Sequence, residues 1–228
     1  MSTPADHHRW RAERFTSVAE PTGHLALIET RWTGTRPDLA AAQAEAGPQV
    51  TVTVVERRSP ETGETEYGLR VWDADSDAIR AYDRIDTYPF DPDWVLRGRL
   101  VPTAPERTST FPHRGGSRAH PCAGELLVTI GGTEHALAVI DDGDALLLVF
   151  ADETTGAETY ASGRFLRIPP PDADWTVVVD FNRAFVPPCG FSAQYDCPLP
   201  PASHRLPLPI RAGEKNVVFV DGFTVAEG

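Results

Sequence analysis

A proline-dense stretch from Asp152 to Asn216 constrains this chain more than any other feature. It holds ten of the 21 prolines, two of the three cysteines, both asparagines and the only lysine. Such a segment usually indicates a linker or a disordered region. Here the prolines are interleaved with large apolar side chains, among them Phe191 and Ile210, which makes the segment too apolar for a solvated tail. We therefore expect ordered, irregular backbone that packs on a sheet and shapes a site.

The charge balance and the apolar runs limit the class of partner. A net charge of −12 argues against nucleic acid or an anionic membrane as the partner. The chain starts without the apolar region of a signal peptide, and its longest apolar run, Ala145 to Ala151, is the size of a strand. We therefore expect a cytoplasmic protein with reduced thiols. A length of 228 residues favours a single domain, 1–228.

The first 47 residues are predicted to form a helical cap. A loose apolar stripe predicts a helix over 6–19, and Gly23 to Trp32 fits either a strand or a helical turn. A second helix is predicted over 37–46, with Thr35 as its cap and Gly47 as its stop.

Residues 48–228 are predicted to form a β-rich body that contains a proline-rich site loop over 182–213. Ser59, Pro60 and Gly63 predict a hairpin turn, whereas Pro102 to Pro121 is expected to be a polar loop. Seven to nine strands after two helices indicate a mainly β (α+β) fold, an antiparallel β-barrel or sandwich with an N-terminal helical cap. The predicted strands are Gln49–Glu56, Glu66–Trp72, Trp94–Val101, Glu125–Ile130, Thr133–Ile140, Ala145–Phe150, Glu158–Ile168, Trp175–Phe181 and Asn216–Val220.

Several blocks of the chain together carry a family resemblance. The C-terminal blocks read TTGAETYASGRFL, DFNRAFVPPCGF, CPLPPASHRL and AGEK, and the earlier ones read WRAERF, GHLALIETRW and YPFDPDWV. They resemble the signature of domain of unknown function 1684, a bacterial family common in actinobacteria. The chain differs from it in having Gly190 where Ala is expected and His204 where Asn is expected. The resemblance implies that residues 152–215 form one set of motifs, and it implies no activity.

Two cysteines and a histidine invite a metal interpretation. Cys189, Cys197 and His204 have the spacing C-x7-C-x6-H, and a fourth zinc ligand could come from His113, His120 or Cys122. The spacing matches no standard zinc motif, so we predict packed thiols and no metal; a zinc site, a disulfide or a nucleophilic Cys189 are the alternatives. Asp73, Asp75 and Asp77 imitate a calcium loop, which fails because its sixth position is Ala78 and its twelfth is Arg84.

Asp180 and Asn182 end an apolar strand and are the first candidate catalytic pair. Alternation places both on one face with Phe181 opposite. A carboxylate and an amide that point together into a cavity could act as a base with an oxyanion partner, or could hold a substrate. The structural alternative is that both side chains anchor the loop that follows by bonding its backbone.

The second group of candidates follows in the same motif blocks. Tyr160 and Arg164 share a face if the strand is regular, although a bulge at Gly163 would break this phase. Arg164 could bind a carboxylate, or it could simply pair with Asp180 or Glu214. Glu214 and Lys215 could supply a base and an electrophile, or an ion pair that holds the C-terminal loop.

These residues point to one of two functions. The first is an enzyme without an organic cofactor that carries out acid–base chemistry (hydrolysis, isomerisation or elimination) on a polar or acidic small molecule. The second is a non-catalytic protein that holds a small acid in the same polar cluster. Neither needs nucleic acid or a membrane, and a homodimer is compatible with both. The expected catalytic residues are Asp180, Asn182, Glu214, Lys215 and Tyr160, and the expected substrate-binding residues are Arg164, Arg205, His204, Phe181 and Tyr195.

Overall fold

The computed structural model describes residues 3–59, 63–104 and 106–225. Its helices are α1 (Pro4–Ser17), α2 (Leu39–Ala46) and α3 (Asp77–Ala81). Its strands are β1 (Leu27–Gly34), β2 (Thr51–Arg58), β3 (Thr65–Trp72), β4 (Tyr82–Thr87), β5 (Val95–Pro102), β6 (Thr108–His113), β7 (Gly116–Ile130), β8 (Thr133–Asp141), β9 (Leu146–Phe150), β10 (Arg164–Ile168), β11 (Thr176–Asp180) and β12 (Glu214–Phe219). The predicted mainly β fold with an N-terminal helix is thereby confirmed.

The described residues divide into two compact units. The barrel unit comprises residues 3–10, 85–187 and 197–216, and the sheet unit comprises residues 11–84, 188–196 and 217–225. The single-domain assignment stays a prediction. Among the described residues, no helix has the length and apolarity needed to cross a membrane.

The barrel unit is built on one antiparallel sheet. Its strand order is β10-β9-β8-β7-β5-β11, with β6 paired to β7, and the sheet curls into a nearly closed barrel. The predicted meander from Glu125 to Phe150 is confirmed as the run from β7 to β9. Gly131 and Gly132 form its first turn, and both have a positive φ.

Alternate positions of these strands fill the barrel with apolar side chains. In an antiparallel strand successive side chains point to opposite faces, so every second residue is buried. The burial of this apolar area is the main favourable term in the stability of the unit. The core side chains include Leu126, Val128, Ile130, Leu137, Val139, Leu148, Phe150, Leu166, Ile168, Val177 and Val179.

The polar loop predicted over Pro102 to Pro121 is wrong. Residues Thr108–His113 form β6, and Gly116–Pro121 form the first part of β7, which pairs with it. The prolines and glycines of this region lower its strand propensity. β6 pairs only with β7, however, and an edge strand tolerates the missing N–H of Pro112.

Other elements also differ from the predictions. β10 begins at Arg164 and not at Glu158, because Gly163 takes φ +87° and ends the turn that precedes the strand. Helix α2 is capped by Asp38 and not by Thr35, since the Asp38 carboxylate accepts the N–H groups of Ala40 and Ala41. The sequence patterns also missed α3 and β4; β4 pairs with β12, which confirms the predicted closing strand.

The sheet unit is built on an antiparallel sheet of order β1-β3-β2. The predicted hairpin is confirmed by the pairing of β2 with β3, although residues 60–62 of its predicted turn lie outside the described residues. The undecided stretch from Gly23 to Trp32 is a 3-10 turn (His24–Ala26) followed by β1. Arg70 on the central strand faces Thr30 of β1 and Thr53 of β2.

The predicted site loop, residues 182–213, contains no strand and has ordered, irregular backbone. Short 3-10 turns at Phe181–Arg183, Pro188–Gly190 and Ala202–His204 break it into extended pieces. Phe191, Leu206 and Ile210 are buried, as expected for a proline-rich segment that is not a linker.

Candidate functional site

Four polar side chains meet in the barrel unit and form a group that we call the Lys215 cluster. Its members are Tyr88, Glu158, Arg211 and Lys215. The Tyr88 hydroxyl donates a hydrogen bond of 2.9 Å to Glu158 Oε2. Arg211 binds the same carboxylate through Nε (3.1 Å) and Nη2 (2.7 Å to Oε1), a bidentate geometry that favours a fixed arrangement. Lys215 Nζ lies 5.3 Å from the centre of the Tyr88 ring.

Backbone hydrogen bonds hold these side chains in place. The Tyr88 N–H donates to the Gly213 carbonyl, and the Tyr160 N–H donates to the Lys215 carbonyl, both at 2.9 Å. Asn216 Nδ2 donates to the Glu158 carbonyl at 3.1 Å. The second asparagine of the chain therefore links β12 to the turn that carries Glu158.

Glu158 and the Tyr88 hydroxyl each keep a single protonation state at neutral pH. Its pairing with Arg211, aided by the Tyr88 hydroxyl, lowers the pKa of Glu158 to about 2. Burial, followed by the hydrogen bond to Glu158, raises the pKa of Tyr88 to about 12. Glu158 is therefore ionised and Tyr88 protonated across the physiological range. General acid–base catalysis works best with a group whose pKa lies near the working pH.

The Lys215 ammonium differs from the other charges of the cluster. The side chain is half-buried, and its ammonium makes no hydrogen bond or ion pair with any residue that the structure describes. The ammonium makes a cation–π contact with the Tyr88 ring. The charges of Glu158 and Arg211 sum to zero, so the cluster carries one net positive charge, that of Lys215. An ammonium group has three N–H donors.

Arg164, an expected substrate-binding residue, is fully buried in an ion pair. Its Nη2 donates to Asp152 Oδ2 at 2.6 Å, and neither side chain is exposed to solvent. The remaining guanidinium contacts are to backbone carbonyls of Ile210 (2.8 Å), Ala212 (2.5 Å) and Glu214 (3.1 Å). The plain alternative of an ion pair is therefore what the structure shows, but the partner is Asp152.

Asp180 and Asn182 come together, as expected, where β11 ends. Asp180 Oδ1 accepts hydrogen bonds from the Asn182 N–H (3.1 Å) and from its Nδ2 (2.9 Å). The Asn182 amide also exchanges two hydrogen bonds with the backbone of Asp91, at 2.8 and 2.9 Å. These contacts fit the loop-anchor alternative. A catalytic role for the pair stays a prediction.

Glu214 is also engaged with backbone. The side chain is buried, and its Oε2 accepts the Val186 N–H at 2.8 Å. Tyr160 is half-buried next to Lys215 in the backbone pairing described above. Because Gly163 ends a turn between them, Tyr160 and Arg164 do not lie on one regular strand.

The His204 side chain takes the place of a backbone pairing between β8 and β9. β8 and β9 pair only at Ile140 with Leu147 and at Asp141 with Leu146. Continued by two residues, their register would place Ala138 opposite Val149, and the imidazole bonds both of these residues. The Ala138 N–H donates to Nε2 (3.1 Å), so Nδ1 carries the proton and donates to the Val149 carbonyl (2.8 Å). Burial lowers the pKa of His204, opposed by the Val149 bond.

The role of His204 predicts a pH-dependent stability. Folding holds the imidazole neutral, so the unfolded chain gains a proton that the folded chain does not as the pH falls below about 6.5. Urea unfolding at pH 7 and at pH 5 measures the free energy of unfolding. Its fall between the two pH values should be smaller in His204→Asn than in the wild type, because the Asn amide can accept and donate in the same way without titrating. His204→Leu should cost about 1–3 kcal/mol at pH 7 because Ala138 and Val149 lose their partners. The role is contradicted if the free energy of unfolding falls by the same amount between pH 7 and pH 5 in the wild type and in His204→Asn. The control is His8→Asn, which replaces an exposed histidine.

The other expected binding residues are dispersed. Phe181 is fully buried in the barrel core, with its ring 5.3 Å from that of Phe150. Arg205 is exposed. Tyr195 belongs to the sheet unit, where its hydroxyl lies 3.1 Å from His24 Nδ1. The structure therefore brings Lys215 and Tyr160 close together in the backbone, but it does not assemble all the predicted residues into one site.

The cysteines are buried thiols at positions 122, 189 and 197. The part of the chain that the structure describes contains no group of three or more His, Cys, Asp or Glu side chains placed to hold a metal ion. The zinc alternative is further weakened by His204, since the backbone occupies both of its ring nitrogens.

Sequence reasoning missed three members of the Lys215 cluster. Tyr88, Glu158 and Arg211 all lie in or beside the motif blocks, but they were given no role. The indication in the sequence is that each lies in or next to a motif block. Tyr88 opens YPFDPDWV, Glu158 lies within TTGAETY, and Arg211 precedes AGEK. The amino-acid sequence does not show that these blocks meet through long-range backbone hydrogen bonds.

Comparison with known proteins places the cluster inside a defined family. A family model described as "Protein of unknown function (DUF1684)" matches residues 80–215, a range that includes all four members of the Lys215 cluster. Five chains of solved structures match. One is the solution NMR structure of an uncharacterized protein from Haloarcula marismortui, which is 26% identical; the match covers 58% of this chain and 76% of that chain, with a TM-score of 0.49. The comparison with curated proteins finds no match.

Proposed function

Since the chain belongs to the DUF1684 family of proteins of unknown function, we propose its function from its side chains: it is a non-catalytic protein that binds a small organic acid at the Lys215 cluster. The observation that carries the proposal is the Lys215 ammonium, which is half-buried and bonded to no described acceptor. A charge-assisted hydrogen bond from an ammonium to a carboxylate is stronger than a neutral one. An acid is the ligand that would supply the missing acceptor.

The charges of the cluster favour an anion with a single carboxylate at this point. Glu158 would repel an acid if its charge were free, but Arg211 neutralises it through two hydrogen bonds. The net positive charge that remains belongs to Lys215. The buried Tyr88 ring lies against the ammonium and helps to fix its position.

The same groups favour binding over acid–base catalysis. With a pKa of about 2, Glu158 is a weak base, and with a pKa of about 12, Tyr88 is a weak acid. His204 donates from one ring nitrogen and accepts at the other, both to backbone, and Asp180 and Asn182 are bonded to each other. Acid–base catalysis by the predicted residues stays a prediction that these contacts do not support. The buried thiols accord with a cytoplasmic protein, which we include in the proposal.

The only lysine of the chain makes the proposal directly testable. Reductive methylation with 13C-formaldehyde labels the Lys215 amine and the N-terminus, and it keeps the lysine charge. Titration with acetate, lactate, succinate and citrate at constant ionic strength should shift the dimethyl-lysine resonance saturably for at least one acid. Binding measured calorimetrically on unlabelled protein should weaken at least tenfold in Lys215→Met, because a hydrogen bond to a charged group contributes about 1.5–3 kcal/mol.

The matched control is Arg99→Gln, which removes an exposed cation from β5 of the same unit. It should leave the affinity unchanged. An acid that binds Lys215→Met as tightly as the wild type would place the ligand elsewhere. No saturable shift with any of the four acids would remove the basis of the proposal.

A further inference from the structure

Two buried polar atoms of the sheet unit lie opposite each other without a partner. Arg70 of β3 and Thr30 of β1 are register partners, and directly opposite residues of an antiparallel pair share a face. Arg70 Nε and Thr30 Oγ1 are both buried, and neither has a hydrogen-bond partner among the described residues. More than nine in ten buried polar groups in proteins are paired, so two neighbouring exceptions indicate a missing group.

The missing group has to be an acceptor. Arg70 Nε–H can only donate, and the Thr30 hydroxyl can donate while its own lone pairs stay free. The nearby acceptors bond other donors: Gln194 Oε1 accepts the Thr30 N–H at 2.9 Å, and Thr53 Oγ1 accepts the Trp72 Nε1–H at 2.8 Å, and neither oxygen bonds Arg70 Nε or Thr30 Oγ1. A group that bonds both orphaned atoms therefore comes from outside the described chain.

The arginine is held by aromatic rings and not by a carboxylate. Arg70 Cζ lies 5.0 Å from the centre of the Tyr195 ring and 6.0 Å from that of Trp72. Among the described residues it has no ion-pair partner. Stacking on aromatic faces fixes the plane of a guanidinium and leaves its edge available for an oxyanion. Arg70 is thus positioned before any ligand binds.

The neighbouring histidine is neutral at pH 7. His24 lies beside Tyr195, with Nδ1 3.1 Å from the hydroxyl. Burial, followed by the charges of Arg14 and Arg70, lowers the pKa of His24 to about 4. His24 is therefore neutral at pH 7. The charged groups that lower its pKa are Arg14 and Arg70, and no acid is among them.

We propose that Arg70 and Thr30 form an oxyanion site on the face of the three-stranded sheet, distinct from the Lys215 cluster. The ligand is a phosphate or carboxylate group, bound by Arg70 Nε–H and by the Thr30 hydroxyl. Arginine suits both groups because its donors match the spacing of their oxygens. The site uses no member of the Lys215 cluster, so either site can fail without the other.

The test uses the intact chain and follows the Nε–H signals of arginine by 15N NMR. Inorganic phosphate and acetate are titrated separately against chloride at matched ionic strength, which distinguishes the two kinds of oxyanion. Arg70→Lys identifies the Arg70 signal by its disappearance. At least one anion should shift this signal saturably, and bound anion should raise the pKa of His24, measured from its ring protons.

Thr30→Val removes the hydroxyl and keeps a β-branched side chain of similar size on β1. It should weaken anion binding about tenfold, as expected for one hydrogen bond to a charged acceptor. Arg99→Gln, which removes an exposed cation far from these residues in the sequence, should leave the saturation of the Arg70 signal unchanged. A saturable shift that is unchanged in Thr30→Val, or the absence of a saturable shift with both anions, would overturn the site and leave ordered water as the partner of the two atoms.

Discussion

Replacement of Arg164 by methionine is expected to lower the free energy of unfolding by about 3–5 kcal/mol, the largest single effect among the described ion pairs. The guanidinium is fully buried and bonds Asp152 together with three backbone carbonyls. Its removal leaves the Asp152 charge buried without compensation, and it leaves the carbonyls of Ile210, Ala212 and Glu214 without this donor. Urea unfolding followed by circular dichroism measures the loss.

The matched control lies three residues further along the same strand. Arg167 is about half exposed and pairs with Asp142 and Asp144 at the surface. Arg167→Met should cost no more than about 1 kcal/mol, because exposed ion pairs contribute little. Asp152→Asn combined with Arg164→Met should cost less than the sum of the two single changes, since the double variant leaves no buried charge. Equal costs for Arg164→Met and Arg167→Met would show that burial does not set the strength of the Arg164 pair.

Replacement of Gly213 by alanine is expected to be the second severe change, at about 2–4 kcal/mol. Gly213 has φ +80°, a conformation that side chains rarely adopt, and an added Cβ would lie 2.5 Å from the Ala184 carbonyl oxygen and 2.8 Å from that of Phe181. Both neighbours are backbone atoms, so no rotamer change relieves the overlap. Lys215 lies two residues further along the chain and should be displaced as well, which under the proposed function would lower the affinity for an acid.

Gly132 provides the control for the backbone strain alone. It has φ +84°, and an added Cβ would meet nothing within 4 Å. Gly132→Ala should therefore cost only about 1 kcal/mol, the usual penalty for a left-handed alanine. The comparison of the two unfolding curves isolates the overlap at Gly213. Similar losses in both variants would mean that the loop before Lys215 yields to the added methyl group.

Local patterns predicted the regular elements where the pattern was strong. The Gly131-Gly132 turn and the alternation on either side of it identified β7 and β8 because turn chemistry and period agree there. β6 was missed because Pro112 and its polar neighbours resemble a loop, and edge strands tolerate such residues.

Long-range partners account for the other differences. Arg164 was expected to pair with Asp180 or Glu214, but it lies against Asp152 at the other end of the Gly156 turn. His204 was expected in a site, but it substitutes for a ladder step between Ala138 and Val149. Neither partner follows from the spacing of the residues, because both depend on how the irregular segment crosses the barrel strands.

The β-rich class and the family could be predicted from the amino-acid sequence, since periodicity, turn residues and motif blocks are local properties of the chain. Which polar side chains of residues 152–215 are bonded within the fold depends on the tertiary structure. Burial and backbone bonding use the side chains of Arg164, Asn182, Glu214 and His204 within the fold. The Lys215 ammonium makes no ion pair among the described residues because Arg211 makes the ion pair with Glu158.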